Sequence, residues 1–156
     1  MFSRFLDRID LSEAFLTRLK PEEDLFAKIS EIYKEVGAEQ LVILSAIGSL
    51  KDVEFRDLKT GIGLPVSLEK TNLMVEHGPF ELLSLEGNVV PMAGEPVLHF
   101  HTILGSSFGQ VIGGHLFKGT VFTTTELWFA KVKGTKVHKD KSPLTGLTEL
   151  NVEEKH

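Results

Sequence analysis

The sequence contains no cysteine. This absence excludes disulfide bonds, thiol nucleophiles and thiolate metal ligands, so a metal site would have to use histidine and carboxylate side chains. Long apolar runs are also missing. No segment reaches the ~20 apolar residues of a membrane span, and residues 1–8 carry charges every few positions, unlike a signal-peptide core. We therefore expect a cytoplasmic protein with no membrane partner.

Proline and glycine are too scarce for a fibrous or low-complexity chain, at 6 and 14 of 156 residues. An excess of positive charge is lacking too, since 22 acidic residues outweigh 17 basic ones and the net charge is -5. This balance argues against DNA binding by bulk charge. The length fits one domain, and 42% hydrophobic residues argue against intrinsic disorder.

The pattern along the chain predicts one secure helix among many strands. Apolar residues at helical spacing follow Pro21–Asp24, which we interpret as the helix start, and Gly37 marks its end. A short amphipathic helix is also predicted over 2–11. The apolar run 41–47 predicts a strand buried on both faces. Further strands are predicted at 14–19, 53–56, 72–76, 80–85, 97–104, 110–116 and 120–132.

We therefore expect an α+β fold in which a mostly antiparallel β-sheet packs on one main α-helix in a single domain. The expected limits are an N-terminal extension at 1–13, the domain at 14–150 and a frayed tail at 151–156. Between Gly87 and Phe117 the only acidic or basic residue is Glu95. Such a stretch indicates a central hairpin of the sheet, a subunit interface or the surroundings of a site.

Three histidines form the strongest candidate site. His99 and His101 alternate on a predicted strand and so share a face, and His115 follows on the next strand. If the loop pairs Gly105 with Gly109, His99 lies opposite His115 and His101 lies opposite Gly113. Three imidazoles would then converge on one face, as ligands for zinc or another divalent ion, or as a buried polar cluster without metal.

Other charged residues complete the set of candidates. Glu126 and Glu81 could act as a fourth ligand or a general base, although a structural, paired carboxylate is the plainer interpretation of Glu126. A local basic cluster could bind nucleic acid or another anion, or be a solvated strand end. Its members are Lys131, Lys133, Lys136, Lys139 and Lys141.

Several motifs in order give the chain a family resemblance. They are Arg18-Leu19 before the acidic helix start, Gly48-Ser49-Leu50, the block from Gly78 to Gly87, Leu98 to His101, Gly109 to Leu116, and Thr124-Thr125-Glu126. In these motifs the sequence resembles a stand-alone prokaryotic PPC domain (plants and prokaryotes conserved), the module that follows AT-hooks in plant nuclear proteins. The resemblance covers about residues 15–150. Glu22 stands where the family usually has glycine.

The resemblance implies an antiparallel sheet packed on a helix and assembly as a homotrimer. It also implies that His99, His101 and His115 occupy the family's histidine positions, where a metal such as zinc can bind. The plant relatives contact DNA through an Arg-Gly-Arg hook, and this chain has no such motif.

Three hypotheses follow. The first is a homotrimeric PPC-like module, DNA-associated or regulatory, with a three-histidine metal site. The alternative is a small zinc-dependent metalloenzyme in which Glu126 or Glu81 acts on a metal-bound water. The third, which the acidic charge and the missing hook disfavour, is direct DNA binding by the basic cluster.

Overall fold

The computed structural model of the chain describes residues 6–152. It contains one α-helix, α1, and eight strands, together with a short 3-10 turn at Leu68–Lys70. The elements in chain order are β1 Asp10–Leu19, α1 Leu25–Glu35, β2 Leu41–Leu58, β3 Thr71–Glu76, β4 Phe80–Met92, β5 Glu95–Gly105, β6 Val111–Lys133, β7 Val137–Lys141 and β8 Thr148–Val152.

Six strands form one antiparallel sheet in the order β1-β6-β5-β4-β2-β3. Strand β2 also pairs with β6, so the sheet curls back on itself and encloses its core. Strands β7 and β8 form a separate hairpin. The prediction of an α+β fold with a largely antiparallel sheet and one main helix is confirmed.

Helix α1 covers the open side of the curled sheet. Leu25 and Ile29 are fully buried, and the ring of Phe26 meets that of Phe100 edge-on at 5.3 Å. The Asp24 side chain caps the helix by accepting a hydrogen bond from the Ala27 N–H at 2.8 Å. Such a cap contributes about 1 kcal/mol.

The predicted helix start at Pro21 is wrong by one turn. Glu22 and Glu23 instead exchange backbone hydrogen bonds with Val121 on β6, both at 2.9 Å, and Glu22 has a φ of 70°. Pairing with the sheet therefore holds these residues outside the helix. The predicted end is confirmed, because the helix stops at Glu35 and Gly37 follows with a φ of 61°.

The N-terminal prediction also fails where the structure describes it. Residues 6–9 are not helical, and β1 begins at Asp10 because its backbone pairs with β6. A short helix without tertiary packing cannot compete with such pairing. The remainder of that predicted helix, residues 2–5, lies outside the described residues. The expected domain limits of 14–150 stay a prediction.

Strands β2 and β6 are much longer than predicted, since each joins two predicted strands through an intervening glycine segment. The expectation that 41–47 is buried on both faces is wrong for the single chain. Leu41 and Ala46 are buried, but Leu44 and Ile47 are about half exposed. One side of β2 thus faces the core and the other presents apolar side chains outward.

No helix within residues 6–152 is long and apolar enough to cross a membrane.

Candidate metal centre and its cavity

The three candidate histidines meet on one face of strands β5 and β6. Their rings form a near-equilateral triangle, with centroid distances of 5.1 Å from His99 to His101, 4.8 Å from His99 to His115 and 5.0 Å from His101 to His115. His101 is exposed, whereas the other two are half-buried. The convergence expected from the sequence is therefore present in the fold.

The predicted strand register is wrong by two residues. His101, not His99, lies opposite His115, and Gly113 lies opposite Ile103. The reason is a wider turn, closed by a 2.8 Å hydrogen bond from the Ser106 N–H to the Gln110 carbonyl. A shift of two residues keeps every side chain on its original face, so the three histidines still converge.

The spacing of the ring nitrogens fits a divalent metal. One ligand nitrogen from each ring lies within 4.8 Å of the others, and the Nε2 atoms of His99 and His101 are 3.2 Å apart. Two nitrogens bound tetrahedrally to zinc at ~2.0–2.1 Å would lie about 3.4 Å apart. Small side-chain rotations therefore suffice for the three histidines to bind one ion. The cluster can hold a metal.

The electrostatics keep two of these ligands neutral. Burial, reinforced by the nearby cation Lys139 and by the other two histidines, lowers the pKa of His99 to about 4. Burial also lowers the pKa of His115, with a further contribution from His101. A neutral imidazole is the form that binds metal, so these rings need not lose a proton at neutral pH.

A carboxylate on β2 is hydrogen-bonded to the backbone of one histidine of the cluster. Asp57 Oδ1 accepts a hydrogen bond from the backbone N–H of His115 at 2.9 Å. The approach is possible because the preceding residue is Gly114, where a Cβ would overlap the Asp57 carboxylate. Sequence reasoning missed Asp57, since it lies 58 positions from His115 and belongs to no local motif.

The histidines open onto a cavity of about 1270 Å³. This is at or above the upper end of typical small-molecule sites. Its walls come from the end of β2, the loop 65–68, strands β5 and β6, and the β7–β8 hairpin. The Val66 N–H donates to the Thr145 carbonyl at 2.6 Å and thereby ties the loop to the hairpin. Apolar walls are formed by Leu58, Val97, Leu98, Phe117 and Leu147.

The two candidate glutamates do not line this cavity. Glu126 lies in β6 between Arg18 of β1 and Ile47 of β2, on the outward side of the sheet. Glu81 is exposed and lies opposite Gly105, at the far end of β5 from His99. Within residues 6–152, the carboxylate that lines the cavity is that of Asp57.

The five lysines of the basic cluster have different surroundings in the fold. Lys131 pairs with Glu13 at 2.7 Å, while Lys133 and Lys136 are exposed. Alternation along β7 turns Lys139 and Lys141 toward the cavity. Of the candidate lysines, these two therefore belong to the histidine site.

Most of the chain matches a known protein family. The model of the Plants and Prokaryotes Conserved domain matches residues 10–133 of this chain. The chain belongs to this family. The match contains the helix, the main sheet and all three histidines, and it ends before the β7–β8 hairpin. The family resemblance predicted from the motifs is confirmed.

Two solved structures have a similar fold. A plant- and prokaryote-conserved protein of Pyrococcus horikoshii is 30% identical, with a TM-score of 0.79 over 95% of this chain and 99% of that one. A metal-containing protein of Archaeoglobus fulgidus is 29% identical, with a TM-score of 0.80 over 94% of this chain and 98% of that one.

Curated relatives include the bifunctional protein GlmU of a Synechococcus strain, which is 28% identical over 137 residues. That match covers 87% of this chain but 20% of the relative, so the chain spans about a fifth of the relative's length. A Bacteroides thetaiotaomicron protein whose name suggests DNA binding has a TM-score of 0.77 over 95% of this chain and all of that one. At 17% identity it shares the fold alone.

Proposed function

We propose that this domain is a metal-binding module in which His99, His101 and His115 hold one zinc ion. The observation that carries the proposal is the 3.2 Å separation of two Nε2 atoms within a triangle of three imidazoles. Zinc suits a set of neutral nitrogen ligands without cysteine, and three protein ligands leave a coordination position open. The metal-containing relative of Archaeoglobus fulgidus supports the proposal.

Metal analysis of untagged protein tests this proposal. We expect about one zinc per chain after dialysis against dilute zinc, and a large loss in His99→Ala and His115→Ala. His77→Ala is the matched control, because His77 pairs with Asp52 away from the cluster. Only trace metal in the wild type, or equal loading of all variants, would overturn the metal site.

We also propose that the module assembles as a homotrimer. Apolar side chains on the outward side of the sheet support assembly, since Leu16 is 63% exposed and Ile47 is 51% exposed. Each lies beside a residue of β6, and cross-strand partners face the same side. Exposed apolar patches of this kind are typical of interfaces.

Light scattering at micromolar concentration tests the assembly. We expect the mass of three chains for the wild type and a smaller mass for Ile47→Glu. The exposed residue Leu68 provides the control Leu68→Glu, because it lines the cavity and not this side of the sheet. A wild type that runs as a clean monomer contradicts the trimer.

The cavity favours a second candidate function, a zinc-dependent metalloenzyme. Bound zinc would supply Lewis-acid chemistry at the open position. The chain would contribute a binding cavity of about 1270 Å³ and the Asp57 carboxylate in its wall. Hydrolysis of 4-nitrophenyl acetate and 4-nitrophenyl phosphate by the zinc-loaded protein tests this function. Rates equal to those of His99→Ala would exclude it for these substrates.

We infer that the basic cluster contributes little to DNA binding, because Lys131 already pairs with Glu13 and Lys139 is buried. A titration of duplex DNA at increasing salt concentration tests the inference. Tight, salt-dependent binding that Lys133→Ala and Lys136→Ala remove would overturn it.

A further inference from the structure

Lys139 is a buried lysine whose side chain has no partner within residues 6–152. Its residue surface is 3% exposed. Within the described residues its side chain has no hydrogen bond or ion pair, and its charge lowers the pKa of His99 and of His115. Lys131 and Lys51, which are less buried, each contact a glutamate at 2.7 Å. A charged side chain on a residue this little exposed costs free energy when it lacks a protein acceptor, so an acceptor from outside the chain is expected.

The ammonium of Lys139 faces the cavity. The residue lines it, as do Lys141, two positions along the same side of β7, and Arg56 of β2. The guanidinium of Arg56 lies 5.9 Å from the ring centroid of Phe117. Among residues 6–152, the formally charged residues lining the cavity are thus three cations and one carboxylate, Asp57, in a chain whose net charge is -5. The local charge favours an anion.

Much of the remaining wall is apolar. Leu58 and Val97 line the cavity together with the Phe117 ring, which stands 4.8 Å from the ring of His115. A ligand for this site therefore combines an anionic group with an apolar body.

We propose that the cavity binds a small organic anion, a carboxylate or a phosphate monoester, with its charged group on Lys139 and its apolar body against Leu58, Val97 and Phe117. This proposal deepens the proposed function and rests on it in one respect, since the ligand would lie beside the metal that the three histidines hold. Lys139 lies in β7, beyond the residues 10–133 that match the family model. The cation that would select an anion therefore comes from the hairpin, whereas the histidines and the apolar contacts come from the matched domain.

Calorimetric titration with benzoate, phenyl phosphate and neutral benzamide tests the proposal. We expect at least one anion to bind the wild type roughly tenfold or more tightly than benzamide, because only the anions offer Lys139 a charged hydrogen-bond acceptor. The stronger of the two anions identifies the charged group. Lys139→Met should lose about tenfold in affinity.

Lys139→Arg should retain most of the affinity, since it keeps the charge. This variant also tests the proposal if Lys139→Met fails to fold. Lys133→Met is the control and should bind as the wild type does, because Lys133 is exposed and does not line the cavity. The proposal fails if neither anion binds, if benzamide binds equally well, or if Lys139→Met folds and binds like the wild type.

The same titrations on metal-free protein separate this proposal from the metal site. Lys139-dependent anion binding without any zinc uptake would sustain the anion site and overturn the zinc proposal. Zinc uptake together with anion binding that Lys139→Met does not weaken would sustain the zinc proposal and overturn the anion site.

Discussion

The Asp57 carboxylate holds the backbone of His115, with 2.9 Å between Oδ1 and the amide nitrogen. This hydrogen bond links the end of β2 to the β6 strand that carries a histidine of the cluster. The Asp57 carboxylate also lies against Gly114, so β2 and β6 must pack together before the ring of His115 is in place. The metal centre therefore depends on tertiary contacts as well as on its ligands.

Asp57→Ala should weaken zinc binding by roughly tenfold, as expected when a supporting partner of a ligand residue is lost. Asp57→Asn should lose less, because its side-chain oxygen can still accept from the His115 N–H. Competition with a chelating dye measures the affinity. Glu54→Ala is the control on the same strand, since Glu54 pairs with Lys118. Equal affinity for Asp57→Ala and Glu54→Ala would contradict the supporting role.

Gly87→Ala should damage both the fold and the metal centre. Gly87 lies opposite Phe100, has a φ of 151°, and approaches the His99 carbonyl so closely that a Cβ would overlap it. The variant must push β5 away or strain the backbone, at a cost on the order of 2 kcal/mol. Urea unfolding and zinc titration measure the two effects.

Gly63→Ala is the control for that change, because nothing lies within 4 Å of a Cβ at Gly63. An alanine at 87 that leaves both stability and zinc affinity at the wild-type level would refute this account of the strand contact.

The metal-free protein should lose stability as the pH falls from 6.5 to about 4. His99 has an unfolded pKa of 6.5 and a folded pKa lowered to about 4, so within that window the unfolded state binds more protons. Below about 4 this contribution is lost and the curve flattens. The groups facing His99 are His101 and His115 in the sheet, Asp57 at the end of β2 and Lys139 on β7.

Urea unfolding of the wild type and His99→Gln across this interval isolates the effect, because the carboxylates titrate in both proteins. The difference in unfolding free energy between them should shrink steadily toward acid. A constant difference would show that His99 does not titrate in this way.

Lys139→Met should stabilise the ligand-free protein. The variant keeps a similar side-chain length and removes the charge of a residue that is 3% exposed and has no acceptor within residues 6–152, so we expect a gain on the order of 1 kcal/mol. Burial also lowers the pKa of Lys139, because removing the side chain from water disfavours its charged form. Thermal melts in buffer without organic anions measure the change, and exposed Lys133→Met should leave Tm unaltered. A marked fall in the Tm of Lys139→Met would contradict the picture of an unpaired ammonium.

The sequence predicted local features well where a single element decides them. The apolar stripe after Asp24 and the glycine at 37 identified α1, and alternation placed His99 and His101 on one side of β5. The helix start was missed because β6 takes the backbone of Glu22 and Glu23, a contact about a hundred residues away. The hairpin register was missed because the turn is wider than the glycine spacing suggested.

The glutamate candidates show the same division. Glu126 was singled out for its apolar neighbours, and its strand does carry it between Arg18 and Ile47, but on the side of the sheet that faces outward. Local sequence cannot tell which distant strands pair, and this pairing decides which carboxylate reaches the histidines. Asp57 does so because β2 runs on for ten residues past Gly48 and meets β6 there.

The sequence by itself determined the α+β class, the family and the donor set, because composition, periodicity and short motifs are local properties. An absence of cysteine and a pair of histidines two residues apart already limited the ligands to nitrogen and oxygen. Only the tertiary structure decided that Asp57 supports His115 and that Lys139 turns its charge into the cavity beside His99. Such neighbours are set by strand pairing and hairpin packing between residues far apart in the chain, which no local pattern encodes.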